Sequence, residues 1–200
     1  MANTDNARGF VPVKHLSGGE VRMTTYAIAS GEATALGRGD PVEVTGSSGT
    51  AHDYIQKAAA ENVNNRGIFM GCHYVDTNGN PVYSDYWPAA TVTEGAKDAI
   101  AHVVDDPNIR MIVQCDTLAV TDVGALADWD AGTPSATTRQ SGAELVASVT
   151  GTTGKSIRIL GLASTSNSDG SANAFGTYAK AVVTWAEHDL ATGAAGAGGV

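Results

Sequence analysis

The sequence is short of positive charge. Its 200 residues include 12 lysines and arginines against 21 aspartates and glutamates, a net charge of −9. A protein that binds nucleic acid by itself is usually basic, because neutralising the phosphates provides most of the affinity. The charge balance therefore argues against packing on a genome, and we expect no direct nucleic-acid partner.

Cysteines and long apolar runs are also scarce. The two cysteines, Cys72 and Cys115, each lie in an apolar strand-like pattern, which is typical of buried thiols in a protein made in a reducing cytoplasm. A single disulfide between neighbouring strands is the alternative. No apolar run approaches the ~20 residues that span a bilayer, and the N-terminal residues lack the pattern of a secretory signal. We therefore expect no membrane partner.

The sequence shows no arrangement of residues that is typical of an active site. The five histidines lack the spacing of zinc ligands, and no Gly-x-Ser-x-Gly nucleophile elbow is present. His73 and His102 lie on predicted strands and fit hydrogen-bonded sheet residues better than catalytic bases. We expect a protein that is not an enzyme and that holds no cofactor or metal.

Three short motifs imitate functional sites, but each fits a turn better. Residues 149–156 resemble a phosphate loop, yet its first glycine is missing and a strand follows in place of a helix, so a Gly/Thr hairpin turn is predicted. Residues 76–80 begin like a calcium loop, but Pro81 and Trp87 stand where glycine and glutamate are needed. The Arg-Gly-Asp tripeptide at 38–40 is a natural turn before a strand.

Glycines and alternating apolar residues are abundant, and they predict strands joined by turns. The 24 glycines are spread along the chain, as many tight turns require. Residues 67–88 predict a central hairpin over Asn78-Gly79, because aromatic and β-branched residues flank the strongest short hairpin signal. Strands at 99–104 and 109–115 around an Asp-Asp-Pro-Asn turn predict a second hairpin. Two successive hairpins would form a meander.

The remaining pattern completes the predicted fold class, an all-β barrel or jelly-roll-like sandwich with an extended N-terminal arm. Residues 120–139 are interpreted as the passage between two halves of the fold, with one helical turn at 123–129. The strands after residue 140 either complete the barrel or form a second sheet. Further strands are predicted at 21–28 (with a bulge at Thr24-Thr25), 41–44, 54–57, 143–149, 156–163 and 178–187.

The predicted organisation is an arm, one β domain and a tail. The arm comprises residues 1–20, the domain 21–190, with a division near 117–140 as an alternative, and the flexible Gly/Ala tail 191–200. Within the arm, Pro12 holds the preceding residue extended. The apolar stretch 10–13 must dock either on the chain's own core or on a neighbour. A mobile arm of this kind suits contact with a neighbouring subunit.

The three tryptophans leave a second possibility open. Trp87, Trp129 and Trp185, together with the tyrosines, could line a sugar-binding face. Aromatic residues of β proteins more often serve the core or an interface. A carbohydrate-binding β module is therefore the alternative to a structural role.

The arm and the central hairpin also carry a family resemblance. Residues 9–19 read Gly-Phe-Val-Pro-Val-Lys-His-Leu-Ser-Gly-Gly, and residues 74–88 carry a Tyr-Val-Asp…Gly…Pro…Tyr-Trp-Pro hairpin. Together with Ile-Leu-Gly-Leu at 159–162, these segments resemble a family of small structural proteins of tailed bacteriophages. The resemblance brings no catalytic residues with it.

The resemblance implies a capsid decoration (cement) protein that binds the outer surface of a phage head and stabilises it. It implies the major capsid protein as partner, self-association as a homotrimer, and a place on the virion surface after synthesis in the host cytoplasm. A head-fibre or tail component is the alternative within the same family. We expect the inter-subunit or capsid contact to involve the arm residues Arg8, Phe10, Val11, Pro12, Val13 and His15.

Overall fold

The computed structural model describes residues 3–45, 53–60, 64–151, 155–167 and 169–191. Over these residues the chain is built from strands and two short 3-10 turns, which confirms the all-β prediction. The strands are β1 (Val11–His15), β2 (Thr24–Ile28), β3 (Leu36–Gly37), β4 (Pro41–Thr45), β5 (Tyr54–Lys57), β6 (Gly67–Val75), β7 (Pro81–Ser84), β8 (Tyr86–Trp87), β9 (Ala99–Val104), β10 (Ile109–Gln114), β11 (Thr117–Leu118), β12 (Leu126–Asp130), β13 (Glu144–Gly151), β14 (Ile157–Leu162), β15 (Gly176–Thr177) and β16 (Lys180–Trp185).

The first half of the chain forms a closed barrel. Strands pair in the order β4-β5-β2-β9-β6, and the first residues of β6 pair back onto β4. The last residues of β6 pair with β7 across a turn that contains Asn78-Gly79, so the predicted central hairpin is confirmed. Closure leaves few exposed strand edges. The barrel interior is filled by Tyr26, Ile28, Leu36, Val42, Ile55, Phe69, Cys72, Trp87, Ala99, Ala101 and Val103.

The second half forms a six-stranded sheet in the order β1-β10-β16-β14-β12-β13. Every strand of this sheet comes from the C-terminal half except β1, which crosses to it from the N-terminus. The sheet packs on the outside of the barrel, because Ile68 and Val104 of the barrel share one buried cluster with Ile109, Met111 and Val183 of the sheet. Strand β6 is therefore covered on both faces near its start, as its two-sided apolar pattern predicted.

The predicted second hairpin is wrong, although both of its strands form. Strand β9 pairs with β2 and β6, whereas β10 pairs with β1 and β16. The turn at 105–108 carries the chain from the barrel to the sheet, so the predicted meander is absent. The reason lies in packing: the buried face of β9 fills the barrel interior, and that of β10 fills the core under the sheet.

Three smaller predictions are also corrected. Residues 126–130 form β12, a central strand between β13 and β14, and the helical turn lies earlier at Val120–Asp122. Strands β13 and β14 consequently flank β12 and do not pair as a hairpin, while residues 152–154 between them lie outside the described residues. The predicted bulge at Thr24-Thr25 is absent, because β2 begins at Thr24 and pairs with β9 in unbroken register.

Other strand predictions are confirmed. Strand β5 has the predicted bounds, and β4, β14 and β16 lie within the predicted segments to within one residue. Strands β4, β14 and β16 show their alternation within their own sequences, so for them the local pattern is sufficient. The predicted flexible tail, apart from Ala191, lies outside the described residues.

Candidate interface on the N-terminal strand

The N-terminal arm lies on the body of its own chain from residue 3 onward. The Asn3 side chain donates to the carbonyls of Ala174 and Thr177 at 2.8 and 3.0 Å. Gln114 accepts the Asn6 backbone N–H at 2.8 Å through Oε1 and donates to Asp5 through Nε2 at 2.8 Å. These contacts fix the described part of the arm before the first strand begins, in contrast to the mobile arm expected from the sequence.

Phe10 is a core residue of this fold. Its ring is 0% exposed and lies 6.1 Å from the Trp129 ring, edge-on, and 6.0 Å from the Trp185 ring, nearly parallel. Of the two docking partners that the sequence left open, the structure assigns this side chain to the chain's own core. In the folded chain the Phe10 ring is therefore out of reach of a partner.

The side chains that follow Phe10 are exposed and apolar. Val11 and Val13 are 45% and 48% exposed on β1, and Leu16 just beyond it is 38% exposed. Exposed valines on a fixed strand are suited to contact with another protein. We call these three residues the arm face.

Strand β1 is an edge strand whose backbone edge is protected against pairing. Among the described strands it pairs with β10 alone, and the register breaks between Pro12 and Lys14. Proline, lysine and irregular register on an edge are features that block addition of a further strand. A partner of this strand would therefore contact its side chains rather than extend the sheet.

His15 anchors the end of β1. Its Nδ1 lies 2.6 Å from the Ser17 hydroxyl oxygen, and its Nε2 lies 3.3 Å from an Asp106 carboxylate oxygen. The Leu16 backbone N–H donates to the Asn108 carbonyl at 2.8 Å. The strand is thus tied to the turn that joins the barrel to the sheet, and His15 is only partly accessible.

Beside the strand lies a hollow of about 190 Å³ that no sequence pattern predicts. Val11 and Pro12 line it together with Arg8, and Met70 and Arg38 complete the wall from the barrel side. The two sides meet because Phe10 donates its backbone N–H to the Gly39 carbonyl at 2.9 Å. No local pattern at residues 8–12 indicates which distant residues will face them.

The Arg-Gly-Asp tripeptide is confirmed as a turn, and its aspartate is inside the protein. Asp40 is 0% exposed, and its carboxylate accepts hydrogen bonds from the Ser141 hydroxyl at 2.6 Å and the Gly37 backbone N–H at 2.7 Å. The Lys57 ammonium lies 3.1 Å away. Burial raises the pKa of Asp40, while Lys57 and the hydrogen bonds act in the opposite direction. The carboxylate cannot serve as a surface ligand.

The calcium-like motif is confirmed as a hairpin turn. An Asp76 carboxylate oxygen accepts the backbone N–H groups of Asn78 and Asn80, each at 2.9 Å. Hydrogen bonds from Asn80 and Asn78 lower the pKa of Asp76. Within the part of the chain that the structure describes, no three His, Cys, Asp or Glu side chains are grouped as metal ligands.

Burial decides the roles of the tryptophans and cysteines. Trp87 and Trp129 are 0% exposed and Trp185 is 7% exposed, so none of the three can form part of a sugar-binding surface. Cys72 and Cys115 are free, buried thiols, and burial raises the pKa of each to about 12. They are unreactive as nucleophiles at neutral pH, since the thiolate is the reactive form.

His188 is the titratable group whose burial has the clearest consequence. It is 1% exposed, its ring packs edge-on against Trp185, and its Nδ1 accepts the Leu190 backbone N–H at 3.1 Å. Burial lowers its pKa from 6.5 to about 4, and the charge of Arg66 acts in the same direction. Folding therefore requires this imidazole to be neutral.

Acidification is expected to destabilise the fold through His188. In the unfolded chain His188 is protonated below about pH 6.5, whereas in the folded chain it is protonated only below about pH 4. The contribution of His188 to the free energy of unfolding is therefore fully present above pH 6.5 and is lost between pH 6.5 and pH 4, a decrease of about 3 kcal/mol. Urea unfolding from pH 7.5 to 4.5, with His188→Gln as comparison, measures this. The free energy of unfolding of wild type should fall with decreasing pH more steeply than that of His188→Gln, so the difference between the two proteins should shrink. An equal dependence on pH in both proteins would show that His188 does not contribute.

Comparison with protein-family models, with curated proteins and with solved structures found no match for this chain. Among the described residues, no helix is long and apolar enough to span a bilayer. The structure thus defines an all-β protein, a small barrel packed on a six-stranded sheet, with an exposed apolar strand at its N-terminus.

Proposed function

We propose that this chain is a viral structural protein that binds the outer surface of a tailed-phage head and stabilises it. The observation that carries the proposal is the arm face: Val11, Val13 and Leu16 are exposed, apolar, and held on a strand that Phe10 anchors in the core. Contact of this kind needs no catalysis. Many weak contacts repeated over a shell supply strength through avidity.

Charge and family resemblance support the same role. The net charge of −9 suits the outside of a shell rather than contact with packaged DNA. The major capsid protein is the partner in this proposal, the chain self-associates as a homotrimer, and its place is the virion surface after synthesis in the host cytoplasm. The resemblance of residues 9–19 to phage structural proteins points to the same partner.

The arm face is expected to control binding to phage heads. Val13→Asp should weaken binding at least about tenfold, or about 1.4 kcal/mol, because it places a carboxylate in an apolar contact. Co-sedimentation with purified heads of the encoding phage measures this. Val120→Asp is the matched control, since Val120 is an equally apolar valine, 68% exposed, on the separate turn Val120–Asp122. Equal binding by both variants would exclude the arm face.

Folding of both variants must be intact for this comparison. Each substituted side chain is at least 48% exposed, so the free energy of unfolding should change by less than about 0.5 kcal/mol. An electron-microscopy map of the particle distinguishes the related roles. Density at the capsid three-fold positions supports decoration, whereas density on a head fibre or the tail assigns the chain there.

A further inference from the structure

The distribution of charge around Arg8 differs from that of the whole chain. Acidic residues outnumber basic ones 21 to 12, yet two hollows that meet at Arg8 are lined without a single carboxylate. The first, of about 190 Å³, adds Arg38, and the second, of about 280 Å³, adds Lys180. The two hollows, which share Arg8 and which we call the groove, thus place three cations together on an acidic protein.

The two hollows differ in chemistry. Pro12 and Met70 give the first an apolar wall. The second is lined by the polar residues Thr165, Ser166 and Asn167. A ligand that occupies both must combine an apolar group with anionic or hydrogen-bonding groups. An extended peptide does so naturally, because its successive side chains point to opposite sides.

The backbone holds the two arginines near each other. Gly9 has φ +70°, and a Cβ added there would lie 2.5 Å from the Gly39 carbonyl oxygen. Gly39 has φ +97°, and a Cβ there would lie 2.6 Å from the Arg8 carbonyl oxygen. Only this close glycine contact allows residues 8 and 38 to approach, because both positions need a left-handed backbone and no side chain.

Arg8 and Arg38 have few charged partners among the described residues of the chain. Arg8 is exposed and forms no ion pair with any residue that the structure describes. Arg38 lies 3.5 Å from Asp85, with both side chains about half exposed, which is a weak surface pair. Both arginines line the first hollow, where each guanidinium can donate a forked pair of hydrogen bonds to an external carboxylate.

We infer that this groove binds an extended acidic segment of a partner protein, with its carboxylates on Arg8 and Arg38 and an apolar side chain against Pro12 and Met70. The identity of that partner as the major capsid protein rests on the proposed function, whereas the groove and its preference for acidic peptide do not. Val11 belongs to the arm face and also lines the first hollow, so one partner can contact both.

A binding measurement with defined peptides tests the groove directly. The probe is a short fluorescent peptide, capped at both ends, that alternates glutamate with leucine, and its counterpart carries glutamine for glutamate. Fluorescence anisotropy should show at least about tenfold tighter binding of the acidic peptide. Arg8→Glu and Arg38→Glu should each remove that preference, whereas Lys97→Glu, an exposed change of equal charge beside a different hollow, should preserve it.

Several results would overturn the inference. They are absence of binding to either peptide, equal binding of both, or an equal loss in Lys97→Glu. Tighter binding of a single-stranded oligonucleotide than of the acidic peptide would also overturn it in favour of nucleic acid. Circular dichroism and urea unfolding of each variant establish that the fold is intact; Arg8 and Arg38 are both exposed, so either variant serves if the other unfolds.

Co-sedimentation with phage heads separates this inference from the proposed function. If heads bind wild type and Arg8→Glu equally, the groove is not the contact, and the proposed function stands without it. If heads bind neither protein while the acidic peptide still binds wild type, the proposed function fails and the groove retains its preference. Loss of head binding in Arg8→Glu but not in Lys97→Glu supports both.

Discussion

Replacing Phe10 with alanine is expected to destabilise the folded chain by about 3–5 kcal/mol, the usual cost of removing a buried phenylalanine. The ring is 0% exposed between Trp129 and Trp185. Its removal leaves a cavity that the two large, fixed indole rings cannot fill. Such a loss is a large fraction of the total stability of an ordinary domain, which is about 5–15 kcal/mol.

Equilibrium unfolding in urea, followed by tryptophan fluorescence, measures the effect of Phe10→Ala. Val13→Ala on the strand that follows Phe10 is the control, because Val13 is 48% exposed and its truncation should cost less than about 0.5 kcal/mol. Phe10→Leu should fall between the two. A loss below about 1 kcal/mol for Phe10→Ala would show that the arm is only loosely attached to the core.

The result also decides how arm variants are interpreted in binding experiments. A Phe10 variant that fails to bind phage heads would report the loss of the strand's anchor, not a lost contact with the capsid. Variants at Val11 and Val13 leave the anchor in place and test contact itself. The six residues predicted as one interface thus divide into an anchor, Phe10, a partly enclosed end, His15, and four residues at the surface or lining its hollow.

Local sequence was sufficient to predict most strands, with β12 as an exception, but not their partners. Strand β6 shows its two-sided apolar pattern within a few residues, and it formed where that pattern placed it. The turn at 105–108 looks the same whether the chain returns to its own sheet or passes to another. The direction of the chain after this turn depends on where its flanking residues pack: Val103 packs inside the barrel and Ile109 packs under the sheet. Residues distant in sequence form both of these cores.

The candidate site was predictable only in part for the same reason. The apolar stretch 10–13 indicated that the arm must dock, but Trp129 and Trp185, far along the chain, determine that it docks on its own core. The groove could not be predicted at all. It exists because Gly9 and Gly39 meet, and a pattern within either segment does not reveal the other.

A buried ion pair joins the barrel to the sheet half. Asp40 and Lys57, both on the barrel, lie 3.1 Å apart with side chains 0% and 8% exposed. Asp40 also accepts a hydrogen bond from the Ser141 hydroxyl at 2.6 Å, and Lys57 donates one to the Gly132 carbonyl at 2.9 Å. Ser141 and Gly132 both belong to the loop between β12 and β13, so these hydrogen bonds fix that loop against the barrel.

Lys57→Met is expected to cost about 3–5 kcal/mol, because it leaves the Asp40 carboxylate buried without its cation. Arg38→Met is the matched control: it removes one charge from the exposed pair with Asp85 and should cost about 0–1 kcal/mol. Urea unfolding of both variants measures the difference.

The double variant Asp40→Asn/Lys57→Met tests whether the penalty comes from the orphaned charge. An asparagine retains an oxygen for the Ser141 hydroxyl or the Gly37 N–H but carries no charge, so the double variant should be more stable than Lys57→Met alone. A double variant that is less stable than Lys57→Met would show that the hydrogen bonds of the Asp40 carboxylate to Ser141 and Gly37 outweigh the penalty of its orphaned charge.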